Sequence, residues 1–264
     1  MWTTKKKKFK EIVSFSLLMK GGNMEVFAKS DVGKARDMNQ DYYYISPKEE
    51  NIELYILADG MGGYKGGEVA SKLATTTTLS YIKNNFDKIS KEKEEIIKLI
   101  KSAMEYANMV VFEKANQDKE LEGMGTTLEV CLIYNNKVYI GHIGDSRIYR
   151  IRKEFIRKLT NDHSYVEKLV KDGTITKQEA VHHPKKNMLM KALGCTAFVE
   201  PDVTVKGYVK EDIILMCTDG LTNMVDENRI YEIIKEDYRN AHIKLINEAN
   251  DNGGFDNITA IIIK

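Results

Sequence analysis

Proline and cysteine are scarce in this chain, three of each in 264 residues, and histidine occurs only five times. Cys131, Cys195 and Cys217 are too few and too widely spaced for a disulfide framework, and no CxxC pair offers a zinc site. They read as buried free thiols of a reducing compartment. None of the histidines has metal-motif spacing, and the His-Cys-x5-Arg loop that holds a catalytic thiolate is missing. Neither charge sign dominates: 40 basic and 39 acidic residues leave a formal net charge of +1. A nucleic-acid binder would carry a basic excess, so that class is excluded. Long apolar runs are missing too. IVSFSLLM, near the N-terminus, has eight residues, far short of a membrane span, and no small-x-small cleavage site follows it.

What is present suits one globular domain: 42% of residues are hydrophobic and 30% charged, enough for a sizeable core. Residues 1–23 differ, with a basic run Lys5–Lys8, and are expected to be a poorly ordered accessory leader or tail, leaving a domain over 24–264. Strand-like runs occur at VFAKSD, DYYYI, IELYILAD, TLEVCLIY, KVYIGHIGD, SRIYRI, PDVTVKGY, IILMCTD and ITAIII. Helical spacing covers 66–83, about 94–117 and two pieces between 227 and 250. Strands that follow strands through Asn-Asn and Gly-Asp turns imply antiparallel pairing, so the pattern predicts stacked sheets with helices outside.

One stretch, LYILADGMGGYKGGE, drives an apolar strand into Asp59 and then into a glycine-rich loop before a helix. That order often builds binding sites. The nucleotide P-loop needs Gly-Lys followed by Ser or Thr, and here Gly66 follows Lys65; the dinucleotide glycine spacing fails as well. The DxD of phosphatases that form an aspartyl-phosphate is also missing. Other strands end in the same manner. Asp219 and Asp145 stand at strand exits, Asp256 stands at a strand entrance, and ARDMNQD supplies Arg36 and Asp41.

Any one of these acids is an ordinary turn residue. A cluster of them needs compensation, because two carboxylates about 5 Å apart repel by roughly 3 kcal/mol at an effective dielectric near 20. Hard divalent cations remove that cost, and an all-oxygen carboxylate set suits Mg²⁺ or Mn²⁺ better than zinc.

Seven motifs in order, ARDMNQD, LADGMGGYKGGEVAS, GMGTTLEV, IGHIGDSRIYR, LTNDHS, MCTDGLTNMV and GGFDNITAIII, resemble those of bacterial metal-dependent serine/threonine protein phosphatases of the PPM, or type 2C, class. The resemblance spans essentially all of 24–264. It implies an α+β fold, a four-layer αββα sandwich of two antiparallel sheets flanked by helices, with a flap subdomain at about 161–195. It also implies two Mn²⁺ or Mg²⁺ ions per active site. Asp59 would bridge both, the Gly60 carbonyl would bind one, Asp219 and Asp256 would complete the shell of the first ion, and Asp41 would serve the second ion directly or through water. Asp145 resembles the acid that helps hold a third, weaker metal, with a plain turn between strands 136–143 and 146–151 as the equal alternative.

Arg36 would clamp the substrate phosphate, and Arg36 and Asp59 are the implied catalytic residues. The implied reaction is hydrolysis of phosphoserine and phosphothreonine on proteins by a metal-bridging hydroxide, with phosphorylated proteins as partners, opposing a bacterial Ser/Thr kinase. A cytoplasmic monomer without nucleic-acid partner or integral membrane segment is expected. The alternative is a catalytically weak phosphoprotein-binding domain of the same fold, against which the retained acids argue.

The chain departs from the family pattern twice. Gln40 stands where many relatives have Glu, removing one negative charge near the second metal. Tyr64 stands where many bacterial members have His, and a phenol with a pKa near 10 is a poorer proton donor at neutral pH. His163 is expected beside the cleft in a hydrogen-bonding role, and His182-His183-Pro184 reads as an exposed loop.

Overall fold

Leu54–Ala58 is wholly buried because the strand that holds it, β4 (Glu53–Met61), is covered on both faces. Successive side chains leave a strand on opposite sides. Tyr55 and Leu57 therefore enter the layer between two sheets, while Leu54, Ile56 and Ala58 face helices. The computed structural model describes residues 19–21, 24–47, 50 and 52–264, with the backbone alone at 19–21 and 63–65.

One sheet runs β1 (Met19–Gly21), β2 (Met24–Asp31), β12 (Ile258–Ile263), β11 (Ile213–Cys217), β8 (Arg147–Arg152), β9 (Phe155–Lys158). The other runs β10 (Asp202–Gly207), β7 (Lys137–Ile143), β6 (Leu128–Tyr134), β4, β3 (Asp41–Ile45), with the short β5 (Gly125–Thr126) beside the end of β4. Their ladders are antiparallel. Long helices α1 (Gly63–Phe86) and α2 (Lys93–Gln117) cover the second sheet. On the first lie α6 (Glu227–Glu236), α7 (Ala241–Asp251) and the single turn α5 (Asp219–Thr222).

The layers are thus helix, sheet, sheet, helix, as the resemblance implied. Each interface is an apolar cluster in which a fully buried Leu or Ile contributes about 1.5–3 kcal/mol. Met19–Gly21, inside the stretch read as a leader, pairs with Met24–Val26; residues 1–18 lie outside the described ones.

Strand parity also places the polar residues. Tyr43 and Ile45 of β3 face the layer between the sheets, as do Ile214 and Met216 of β11 and Ile261 and Ile263 of β12. Counting by twos brings Asp41, Asp59, Thr218 and Thr259 to one end of that same layer. Between β9 and β10 the chain leaves the sandwich and forms α3 (Tyr165–Lys171) and α4 (Lys177–Val181), neither with a buried residue. His182 is exposed and His183 half-buried there. One expectation is corrected: Cys131 and Cys217 are buried, but Cys195 is exposed, because it follows the last turn of this surface segment rather than ending a core strand.

Candidate metal centre

The pairing of β3 with β4 sets Asp41 directly opposite Asp59. Like charges in that position are unfavourable. Two cross-strand threonines relieve Asp41: Thr218 Oγ1 and Thr259 Oγ1 both donate to its Oδ2, at 3.0 and 2.6 Å. Its Oδ1 is buried and has no partner. Burial pushes the Asp41 carboxyl up to about 7 despite these donors, and Asp219 and Asp256 add to the effect.

Asp59 is held by its backbone. Its N–H donates to Thr127 Oγ1 at 2.9 Å, while its carbonyl accepts from Thr127 N and Thr126 Oγ1, each at 2.9 Å. The side chain is left facing the cleft. Burial, and then Asp41, Asp219, Asp145 and Asp256, raise its pKa well above the carboxylate range. Gly60 follows at a backbone crossing, where a Cβ would stand 2.0 Å from the Gly67 carbonyl oxygen at the start of α1 and 2.8 Å from that of Gln40. Only glycine lets strand, loop and helix approach this closely. Gly60→Ala is expected to cost about 3 kcal/mol, the upper end for overpacking, as read from the denaturant midpoint.

Asp219 opens α5 just after β11 and accepts from Asn223 Nδ2 at 2.9 Å. Burial, then Asp256, raise its pKa. Asp256 precedes β12 and accepts from Arg36 at 2.8 Å, with the Arg36 and Asp256 side chains 53% and 37% exposed. Such a pair is worth no more than about 1 kcal/mol, so Arg36 is free to turn toward another anion. Asp145 lies in the β7–β8 turn, its pKa pushed up to about 8 by burial, then by Asp219 and Asp162.

Arg36, Asp59, Gly60, Asp145, Asp219 and Asp256 line one open cleft of about 630 Å³. Asp41 is not on that surface but beneath it, behind Asp59. Residues that the sequence reading missed share the lining: Met38, Met61, Thr127, Asn187 and Leu189. Thr127 sits in the GMGTTLEV motif, which was a signal; Asn187 and Leu189 fall in the 161–195 flap that the resemblance implied, though nothing marked either residue. The Tyr64 side chain lies outside the described residues.

The donor set fits hard divalent cations. Its atoms are carboxylate and carbonyl oxygens, one oxygen of Asp41 is buried and unpaired, and four of the acids are strained toward protonation, as acids that share a cation's place would be. Among the described residues, no three His, Cys, Asp or Glu side chains converge on a single point as they stand. Mg²⁺-like ions keep several waters, so the acids need not close on one point by themselves.

A profile of the protein phosphatase 2C family matches residues 34–254. The serine/threonine phosphatase stp of Listeria monocytogenes is 36% identical over 239 residues, covering 89% of this chain and 94% of its own. The crystal structure of the Mycobacterium tuberculosis serine/threonine phosphatase PstP/Ppp superposes with a TM-score of 0.82 at 33% identity, covering 91% of this chain and 98% of its own. A structure of the PstP catalytic domain in complex with two manganese ions gives a TM-score of 0.79 at 32% identity, covering 91% and 97%. The chain therefore belongs to the protein phosphatase 2C family.

Proposed function

We propose that this chain is a metal-dependent protein phosphatase that hydrolyses phosphoserine and phosphothreonine on proteins. The observation that carries the reading is the convergence of Asp41, Asp59, Asp145, Asp219 and Asp256 from separate strands and turns on one end of the inter-sheet layer. The relatives' names and the manganese pair of PstP support it.

Asp59, the Gly60 carbonyl, Asp219 and Asp256 would hold one cation, with Asp59 shared to a second that Asp41 serves directly or through water; Asp145 would help with a third and weaker one. When bound, such ions supply Lewis acidity that makes a water nucleophilic near neutral pH and offsets phosphoryl charge. The residues do the rest. Deprotonated by the exchange of protons for cations, the aspartates supply the negative charge that would hold those cations at the floor of the cleft. Thr218 and Thr259 fix Asp41 through its Oδ2 and leave Oδ1 available.

Arg36, on the exposed rim, exchanges Asp256 for two parallel hydrogen bonds to the phosphoryl oxygens, orienting the phosphorus toward the floor. Arg36→Ala is therefore expected to raise KM for a phosphopeptide about 10- to 100-fold, the worth of a charged hydrogen bond, with kcat changed less. Steady-state kinetics on the variant would check it.

The substrates are placed in the cytoplasm, opposite a Ser/Thr kinase, and the enzyme is taken as a monomer. Free cysteines favour a reducing compartment, and no helix among the described residues is long and apolar enough to cross a membrane. The test is phosphate release from a phosphothreonine peptide. It should depend on Mn²⁺ or Mg²⁺ and stop with chelator; a folded, metal-loaded protein that releases none would refute the reading.

A further inference from the structure

We infer that His163 is a positioning residue that fixes the Asp145 turn against the wall of the cleft, through a side-chain acceptor and its own backbone. This rests on the function just proposed. Gly144 N–H donates to His163 Nδ1 at 3.2 Å, and His163 N–H donates back to the Gly144 carbonyl at 2.7 Å. Both sides of the residue that precedes Asp145 are thus held by residue 163. Because Nδ1 accepts, the ring is neutral and its proton sits on Nε2, 3.2 Å from Asp202 Oδ2 but off the line of a hydrogen bond. Burial, then the neighbouring His142, hold its pKa down near about 4, in keeping with that tautomer.

Gly144 has nowhere else to go. Its φ is +118°, and a Cβ there would stand 2.5 Å from Thr127, whose hydroxyl accepts Asp59 N–H and pairs with Ser146 Oγ at 2.9 Å. The imidazole is itself braced. It lies against His142 with centroids 4.4 Å apart, and His142 is fixed by the buried Glu129 and by the Asn161 carbonyl, each at 2.7 Å.

The same residue also anchors the lining at Asn187 and Leu189. The His163 carbonyl accepts from Met190 N at 2.7 Å, and Tyr165 N donates to the Met188 carbonyl at 2.8 Å. Asn187 and Leu189, which line the cleft, therefore hang from the ladder that His163 begins. Asp145 and this wall are set in one frame, so a displaced His163 side chain would loosen the weakest cation and the grip on substrate together.

His163→Phe keeps a stacked ring and deletes the acceptor, whereas His163→Asn keeps a short acceptor near the place of Nδ1. Amide exchange of Gly144 in the metal-free protein should speed up at least about tenfold in H163F and stay near the parent rate in H163N. Calorimetric titration should show the weakest Mn²⁺ affinity of H163F reduced about 10- to 100-fold, the range for partners that orient a ligand, with H163N near the parent. KM for a phosphopeptide should rise in H163F while kcat at saturating Mn²⁺ stays within about threefold of the parent, a split that general loss of folding would not give.

Should H163F fail to fold, His163→Gln, which carries its acceptor past Gly144 N–H, should show the same losses. Parent-like exchange and Mn²⁺ binding in H163F, or equal damage in H163N, would overturn the inference and leave the proposed function standing. A parent that takes up no Mn²⁺ would overturn both.

Discussion

Asp59→Asn is expected to lower turnover by at least about 10³-fold, about 4 kcal/mol of barrier, while making the metal-free protein more stable. The two effects have one cause. Asp59 is half-buried at the cleft, and desolvation, then Asp41, Asp219, Asp145 and Asp256, raise its pKa well above the carboxylate range, so its negative charge is a burden on the fold unless cations answer it. An amide removes that burden, keeps the shape and the backbone bonds to Thr126 and Thr127, and supplies a far poorer ligand. Parallel measurement of kcat with Mn²⁺ and of Tm with chelator separates this from simple damage. A core residue lost to misfolding would lower both. Unchanged turnover in Asp59→Asn would remove the residue from the chemistry altogether.

The second large effect is on stability against pH in chelator. A carboxyl whose folded pKa is raised binds protons better folded than unfolded, so the stability it gives is full below about pH 4, its unfolded pKa, and is lost as pH rises through the folded value. For Asp41 the folded value is about 7 and for Asp145 about 8, so the loss runs from about pH 4 to pH 8. At about 1.4 kcal/mol per unit, Asp41 alone contributes on the order of 4 kcal/mol. Asp162 has the opposite sign: Arg147 outweighs burial and depresses it, and its contribution is lost only as pH falls below about 4. Melting should therefore occur at lower temperature at pH 8 than at pH 5 without metal, and Mn²⁺ should raise the pH 8 value most, because it binds the deprotonated acids. A metal-free protein more stable at pH 8 than at pH 5 would contradict the electrostatic account.

The sandwich was legible wherever a strand is buried on both faces. TLEVCLIY, IILMCTD and ITAIII correspond to β6, β11 and β12 within two residues at either end, because burial writes an apolar run into the sequence. Helices α1 and α2 were legible for the same reason on one face, though α1 begins three residues earlier and ends three later than its spacing indicates. The short elements were not. β9 alternates exposed and half-buried residues, so no period marks it, and α3 and α4 bury nothing, so their segment shows short helical patches without bounds.

The acids of the site stand at strand ends and were visible as breaks in apolar runs. Their mutual placement was not, since the register that sets Asp41 opposite Asp59 depends on pairing between separate strands. Thr218 and Thr259, which hold Asp41, looked like ordinary strand residues. Asn187 and Leu189 reach the cleft only through the ladder to residues 163–165, a contact that local sequence does not encode.

The most direct test is diffraction from crystals grown in manganese, recorded at its absorption edge. Two anomalous peaks should lie in the cleft between Asp59, Asp219 and Asp256, with Arg36 turned away from Asp256 when a phosphate analogue is added. A well-ordered cleft with no peak among those aspartates would contradict the claim that they converge to hold metal.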